Sequence, residues 1–232
     1  MSLKSVLLSF FPALTCGLSL GLCLLALLLQ QPILFFAGVV NMYVFPLLAF
    51  HLHQRLWPLT LGPSHLLKAA YSPWWGTHQI QLIFIAFPFL EEILRLIPGL
   101  FSFWLRLWGA KVGRNVYFAP HFRIADRSLI EIGDDVVFGY QVSVSSHIVK
   151  KSRHDLLLFV RPIRIGAGAF IGVGVVIGPG VTIEANTSID GGMHLYPNKV
   201  YAGKNRRGPT TPPPTKTHID SDSQNTTLDE IS

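Results

Sequence analysis

From Ser5 to Gln54 the chain runs fifty residues without an Asp, Glu, Lys or Arg. A helix needs roughly 20 apolar residues to cross a hydrocarbon core, so this stretch is long enough for two passes. Gln30-Gln31-Pro32 is the natural hinge, and the pattern predicts one helix at about 6–29 and another at about 33–51. Residues 79–108 are also apolar, but Glu91, Glu92, Arg95 and Arg106 interrupt them and Pro88 and Pro98 kink them. That pattern fits helices lying in the membrane interface better than a third span, with Trp74, Trp75, Trp104 and Trp108 as headgroup anchors.

After residue 108 the period changes to six. Ile165, Ile171, Ile177, Ile183 and Ile189 repeat strictly, and the first three are each followed by glycine. Such a period fits neither a heptad nor a free strand. It predicts a left-handed parallel β-helix, in which each hexapeptide is a short strand plus a corner and three make one triangular coil of roughly 18 residues. The aliphatic residue points inward, and the glycine beside it is expected to permit the tight corner.

Traced backwards, the period holds at Val112, Phe118, Ile124 and Ile130. It resumes two residues out of phase at Ile132, Phe138 and Val144, then lapses until Phe159 and Ile165. Residues 145–157, SSHIVKKSRHDLL, are too polar and basic to line a prism and are expected to leave the coil as a loop bearing His147 and His154. The domains expected are a membrane region over 1–108, a β-helix over 109–207 and a disordered tail over 208–232 rich in Pro, Thr, Ser and Asp. Because the period starts at Val112, a chain beginning near Gly109 is expected to keep the β-helix.

Mean hydropathy is +0.41, and the apolar N-terminal stretch accounts for it. That stretch outruns a signal-peptide core and lacks a cleavage site, so removal is not expected. Lys4, Arg55 and Lys68 flank the apolar hairpin, which by the positive-inside rule makes this an integral membrane protein with its β-helix on the cytoplasmic side. A net charge of +6, spread out, suits a face near anionic lipid and calls for no nucleic acid. Cys16 and Cys23, seven residues apart in the first apolar helix, read as packing residues. His51, His53, His65 and His78 near the membrane boundary read as interfacial side chains.

An ordered set of landmarks spans about residues 110–207: Ile132-Gly133-Asp134, a Ser-rich approach to His147, Arg161-Pro162-Ile163-Arg164-Ile165-Gly166, Phe170-Ile171-Gly172, Ile177-Gly178-Pro179-Gly180-Val181-Thr182-Ile183, Pro197-Asn198-Lys199-Val200 and Ala202-Gly203. In this order they resemble the hexapeptide-repeat acyltransferases, specifically the galactoside, maltose and xenobiotic O-acetyltransferase branch. The resemblance implies a homotrimer with acyl-coenzyme A as co-substrate, acyl carrier protein being the other donor, and no tightly bound cofactor. It makes His147 the general base and places the donor against Gly172, Gly178, Lys204 and Arg206. His121, Asp126 and His154 are the candidate acceptor-side residues, Asp126 matching a family aspartate or serving as a corner turn.

The family shows Asn or Asp near the acceptor where this chain has Ala119-Pro120-His121-Phe122-Arg123, so the acceptor implied is not a small sugar. With a membrane region attached, a lipid or lipid-linked saccharide is expected instead, and Lys150, Lys151, Arg153, Arg161 and Arg164 suit an anionic lipid or the donor phosphates. His194, after the last full coil, is a further candidate for the donor channel. No metal site is expected. Two other readings stay open: a non-catalytic trimeric scaffold at the membrane, and a β-helix carbonic anhydrase using His121, His147 and His154, whose spacing does not suit it.

Overall fold

The computed structural model describes residues 2–66, 70–152 and 155–205. The expected tail, Lys68, Arg153, His154 and Arg206 lie outside them. Helices α1 (Leu3–Ser9) and α2 (Phe11–Leu29) form one nearly continuous rod, and α3 (Pro32–Leu56) returns beside it. The reversal is made by Gln30 in the left-handed region at φ 52° and by Pro32 in the first turn of α3. The rods meet closely at Gly38, where an added Cβ would lie 2.8 Å from the Ser19 carbonyl oxygen and from Cys23 Sγ. Beside it, Asn41 Nδ2 donates to Ser19 Oγ at 2.9 Å.

Leu3–Leu29 and Pro32–Leu56 are both long and apolar enough to cross a membrane. Their outer faces leave Leu14, Leu18, Leu27, Leu28, Phe36 and Val40 exposed, Leu28 at 80 %. Apolar surface so continuous is rare on a protein facing water. The second helix runs five residues beyond its expected end because nothing in His51–Arg55 breaks it.

The coil is built as the repeat demands. Strands stack in parallel into three sheets: Val112, Ile132, Ile165, Ile183 and Tyr201 share one column, Phe118, Phe138, Ile171 and Ile189 a second, and Ile124, Val144, Ile177 and Leu195 the third. The interior members from Phe138 to Leu195 are at most 5 % exposed. Two different glycine duties underlie the Ile-Gly repeat, which corrects the expectation that the glycine beside Ile makes the corner. A Cβ on Gly172 would sit 2.5 Å from the backbone nitrogen of Gly191 in the next coil, so that glycine permits stacking. The corner proper comes two residues later, where φ is positive at Gly168, Gly174, Gly180, Asn186, Gly192 and Asn198.

Two interruptions break the period. A short 3-10 turn, Arg127–Leu129, adds the two residues that shift the phase before Ile132. The expected loop is instead an antiparallel hairpin, His147–Ser152 paired with Asp155–Val160, joined by Gly62–His65 as a third strand. Phe159 therefore belongs to the hairpin, and the coil restarts at Ile163.

Helices α4 (Pro73–Ala86), α5 (Phe89–Arg95) and α6 (Leu100–Leu107) cover the first end of the coil. Trp74 and Trp104 are 5 % exposed and Trp108 is fully buried, so these rings are not headgroup anchors. An open coil end exposes Val112, Phe118 and Phe122, and the apolar faces of α4–α6 bury them; Phe101 meets Phe118 edge-on at 4.9 Å. Of these four tryptophans Trp75 is the half-buried one, donating to the Ser5 carbonyl at 3.3 Å.

Candidate active site

Arg127, in the turn that shifts the coil's phase, is completely buried. Its Nε donates to Glu91 Oε1 at 2.7 Å and its Nη2 to Glu91 Oε2 at 2.8 Å, a bidentate pair across 36 residues of chain. Gln81 Oε1 accepts from the Arg127 backbone N–H at 2.9 Å, Trp104 Nε1 donates to Glu91 at 3.0 Å, and the guanidinium lies over Phe84 and Trp108. A buried charge pair is tolerated where further hydrogen bonds meet its remaining donors and acceptors, and here Gln81 and Trp104 supply them. It clamps α4 and α5 onto the coil and fixes the neighbouring residue, Asp126.

The Asp126 carboxylate is buried and points into the seam between coil and helices. Oδ2 lies 2.6 Å from His147 Nδ1 and accepts from the Ser146 N–H at 3.1 Å, while Oδ1 accepts from Trp74 Nε1 at 3.3 Å. Because the carboxylate is an acceptor, His147 carries its proton on Nδ1 and leaves the Nε2 lone pair free. The hairpin strand places the ring: Ser145 Oγ donates to the His147 carbonyl at 2.8 Å, Ser146 Oγ donates to the Leu129 carbonyl at 3.0 Å, and Trp74 packs against the imidazole with centroids 4.6 Å apart. An oriented imidazole with one free nitrogen, 17 % exposed, can remove a proton from a bound hydroxyl.

A second imidazole, His78 on α4, meets the His147 ring edge-on at 5.5 Å. Its pKa is lowered by burial and next by the nearby His147 charge, against an opposing pull from Asp126, with Arg127 lowering it further. Donor atoms of His78, Asp126 and His147 lie within 4.8 Å of one another, the residues best placed among those described to hold a metal. The 2.6 Å between Asp126 and His147 is shorter than the spacing of about 3.4 Å between ligands of a tetrahedral zinc at 2.0–2.1 Å. Hydrogen bonds from Trp74 and Ser146 already occupy Asp126 as well.

Of the expected site residues, the structure brings His147 and Asp126 together. His121 is separate from them: it turns a corner at φ 59°, its backbone N–H donates to Glu92 Oε1 at 2.8 Å, and its ring meets Tyr140. Gly172 and Gly178 give their N–H groups to the next coil, to the Ile189 and Leu195 carbonyls at 2.8 and 3.0 Å, so neither is free to hold a phosphate or an oxyanion. Lys204 is exposed in the last strand. His194 is exposed on the outward row that also carries Val176, Ser143 and Arg123. Arg161 bonds Asn198 and Arg164 pairs with Glu131, away from the exposed Lys150 and Lys151 of the hairpin.

The histidines read as interfacial have partners: His51 the Leu107 carbonyl, His53 the Tyr71 hydroxyl, and His65 the Asp155 carboxylate at 2.6 Å. Trp74, His78, Glu91 and Arg127 were not expected at a site. Two signals pointed to three of them: Trp74 and His78 are four residues apart and share a helix face, and Glu91, with Glu92 and Arg95, interrupts an apolar run.

No protein-family model matches the chain, and no curated protein does. Among solved structures it is similar to a maltose O-acetyltransferase from Clostridium difficile 630, at 20 % identity over 50 % of this chain and 79 % of that one, with a TM-score of 0.37. A hexapeptide-repeat-containing acetyltransferase from Vibrio cholerae aligns at 18 % identity over 53 % and 89 %, TM-score 0.34. A galactoside acetyltransferase in complex with coenzyme A aligns at 22 % over 49 % and 74 %, TM-score 0.32.

Proposed function

We propose that this chain is a membrane-anchored acyltransferase that moves an acyl group, acetyl by preference, from a coenzyme A thioester to a hydroxyl of a lipid or lipid-linked saccharide. His147 is the general base, and Asp126 fixes its tautomer and orientation. The observation that carries this reading is the buried Asp126 carboxylate 2.6 Å from His147 Nδ1, which leaves Nε2 as the free base; a scaffold has no use for a buried carboxylate aligned in this way. The base takes the acceptor's proton as the oxygen attacks the thioester carbonyl, and binding both substrates side by side supplies the remaining acceleration.

The lipid acceptor rests on two features. The exposed apolar faces of the two long helices suit a bilayer, and α4, which follows them in the chain, supplies Trp74 and His78 to the site itself. Lys4 and Arg55 flank the spans and favour the cytoplasmic face for the coil. Exposed Phe170, Val173 and Val176 on the coil's outer surface suit burial in a trimer. Lipid mass spectrometry of cells with and without the gene tests the substrate class: one acyl mass increment on a membrane lipid is expected, and unchanged lipids beside a newly acylated soluble metabolite would overturn it.

A further inference from the structure

His78 is surrounded as a working residue is. It lies one turn after Trp74 on α4, the two rings stacked with centroids 5.0 Å apart, and it faces His147 across 5.5 Å. Its Nδ1 is buried with no hydrogen-bond partner among the described residues. An orphaned nitrogen is better buried as a lone pair than as an N–H, which puts the proton on Nε2, the nitrogen left for a ligand. The charged and titratable groups facing the ring are His147 from the hairpin and Asp126 and Arg127 from the coil; burial, His147 and Arg127 lower its pKa against the opposing pull of Asp126, which leaves the ring neutral near pH 7. A group entering beside His147 is within reach of both imidazoles, since the donor atoms of the cluster are within 4.8 Å.

Building on the acyl-transfer reading, we infer that His78 contacts the substrate: its Nε2–H donates a hydrogen bond to the thioester carbonyl oxygen as that oxygen gains charge. His147 Nε2 removes the acceptor's hydroxyl proton, and the acceptor oxygen bonds to the carbonyl carbon. The carbonyl electron pair moves onto the oxyanion held by His78. Collapse breaks the carbon–sulfur bond, and the departing thiolate takes the proton from His147. His78 keeps its own proton throughout, and as a neutral donor it does not repel the imidazolium forming beside it. The helical unit would then do chemistry as well as anchor the coil.

The test uses the full-length protein in lipid nanodiscs, with thiol release from acetyl-coenzyme A followed in the presence of total membrane lipid extract. His78→Ala is expected to lower kcat by about 100-fold with the thioester KM little changed, and His78→Gln, whose amide nitrogen stands where Nε2 stood, to recover to within about 10-fold of wild type. His78→Asn, which places its amide at the Nδ1 position, is expected to remain as slow as the alanine variant. Wild-type turnover by His78→Ala, equal rates for the Gln and Asn variants, or one zinc ion per chain in the purified wild type would each overturn the assignment. A wild type that releases no thiol removes the acyl-transfer reading and His78 with it, whereas an active wild type with an equally active His78→Ala removes His78 alone.

Discussion

The coil from Ile163 to Leu195 and the seam where α4–α6 meet its first end are both buried, yet they are built on opposite principles. The inward positions of the coil are aliphatic save Thr187, and each hexad repeats the burial of the one before. The seam holds a fully buried arginine, two buried carboxylates and two imidazoles; Arg127 is bonded to Glu91 and Asp126 to His147 across long stretches of chain, and the His78 ring meets that of His147. Apolar stacking stabilises without regard to direction. Buried charge is tolerated only in one arrangement, because an unmatched partner costs several kcal/mol. A site needing an imidazole aligned on a carboxylate is therefore found where the repeat is broken.

The largest test of this contrast removes the helical unit. The repeat alone suggested that a chain starting near Gly109 keeps the β-helix, but such a chain loses Glu91 and Gln81, the partners of Arg127, and leaves Phe118 and Phe122 uncovered. The truncated chain is expected to aggregate or to lose its β signal in circular dichroism; a soluble, cooperatively melting product would show that the seam is dispensable.

Within the full chain, Arg127→Met should destabilise by about 3–5 kcal/mol by stranding the Glu91 carboxylate, and Arg127→Met with Glu91→Met should recover most of it. Denaturant unfolding in detergent measures both. Ile177→Asp, a charge placed in the aliphatic column at a fully buried position, should cost several kcal/mol with no second substitution available to rescue it. If both lesions prove rescuable or both do not, the two regions are not built differently.

The smallest effect concerns pH. The lowered pKa of His78 means the unfolded chain takes up this proton first, so stability is full above the ordinary imidazole value of about 6.5 and declines as pH falls below it toward the folded value. His78→Gln should flatten that decline in melting temperature between about pH 7.5 and about pH 5.5. An identical decline in the variant would place the titration elsewhere.

The two regions also differ in how far they can be read from sequence. Ile165 to Ile189 announce themselves because one residue type recurs at one spacing, and a coil stacks only on such a pattern. His147 was legible as the polar residue at which the pattern lapses. Asp126 was legible as an acceptor-side residue or a corner turn, but the other partners were not, because the rings of Trp74 and His78 come from a helix about seventy residues earlier, and Arg127 reads as a surface turn residue until Glu91 is seen beside it. The tryptophans misled for a related reason: an aromatic in an apolar run suits a membrane interface and a buried cap equally, and only the uncovered end of the coil decides between them.

The proposed role of His147 as the seam's general base is the step on which acyl transfer depends. It is tested most directly by the turnover of purified full-length protein and its His147→Ala variant, both in nanodiscs with acetyl-coenzyme A and membrane lipid extract, read as thiol release. The variant is expected to turn over about 100-fold or more slowly while still folding cooperatively, with its melting temperature lowered by the loss of the Nδ1–H bond to the buried Asp126 carboxylate. Near-wild-type turnover by the variant would contradict it.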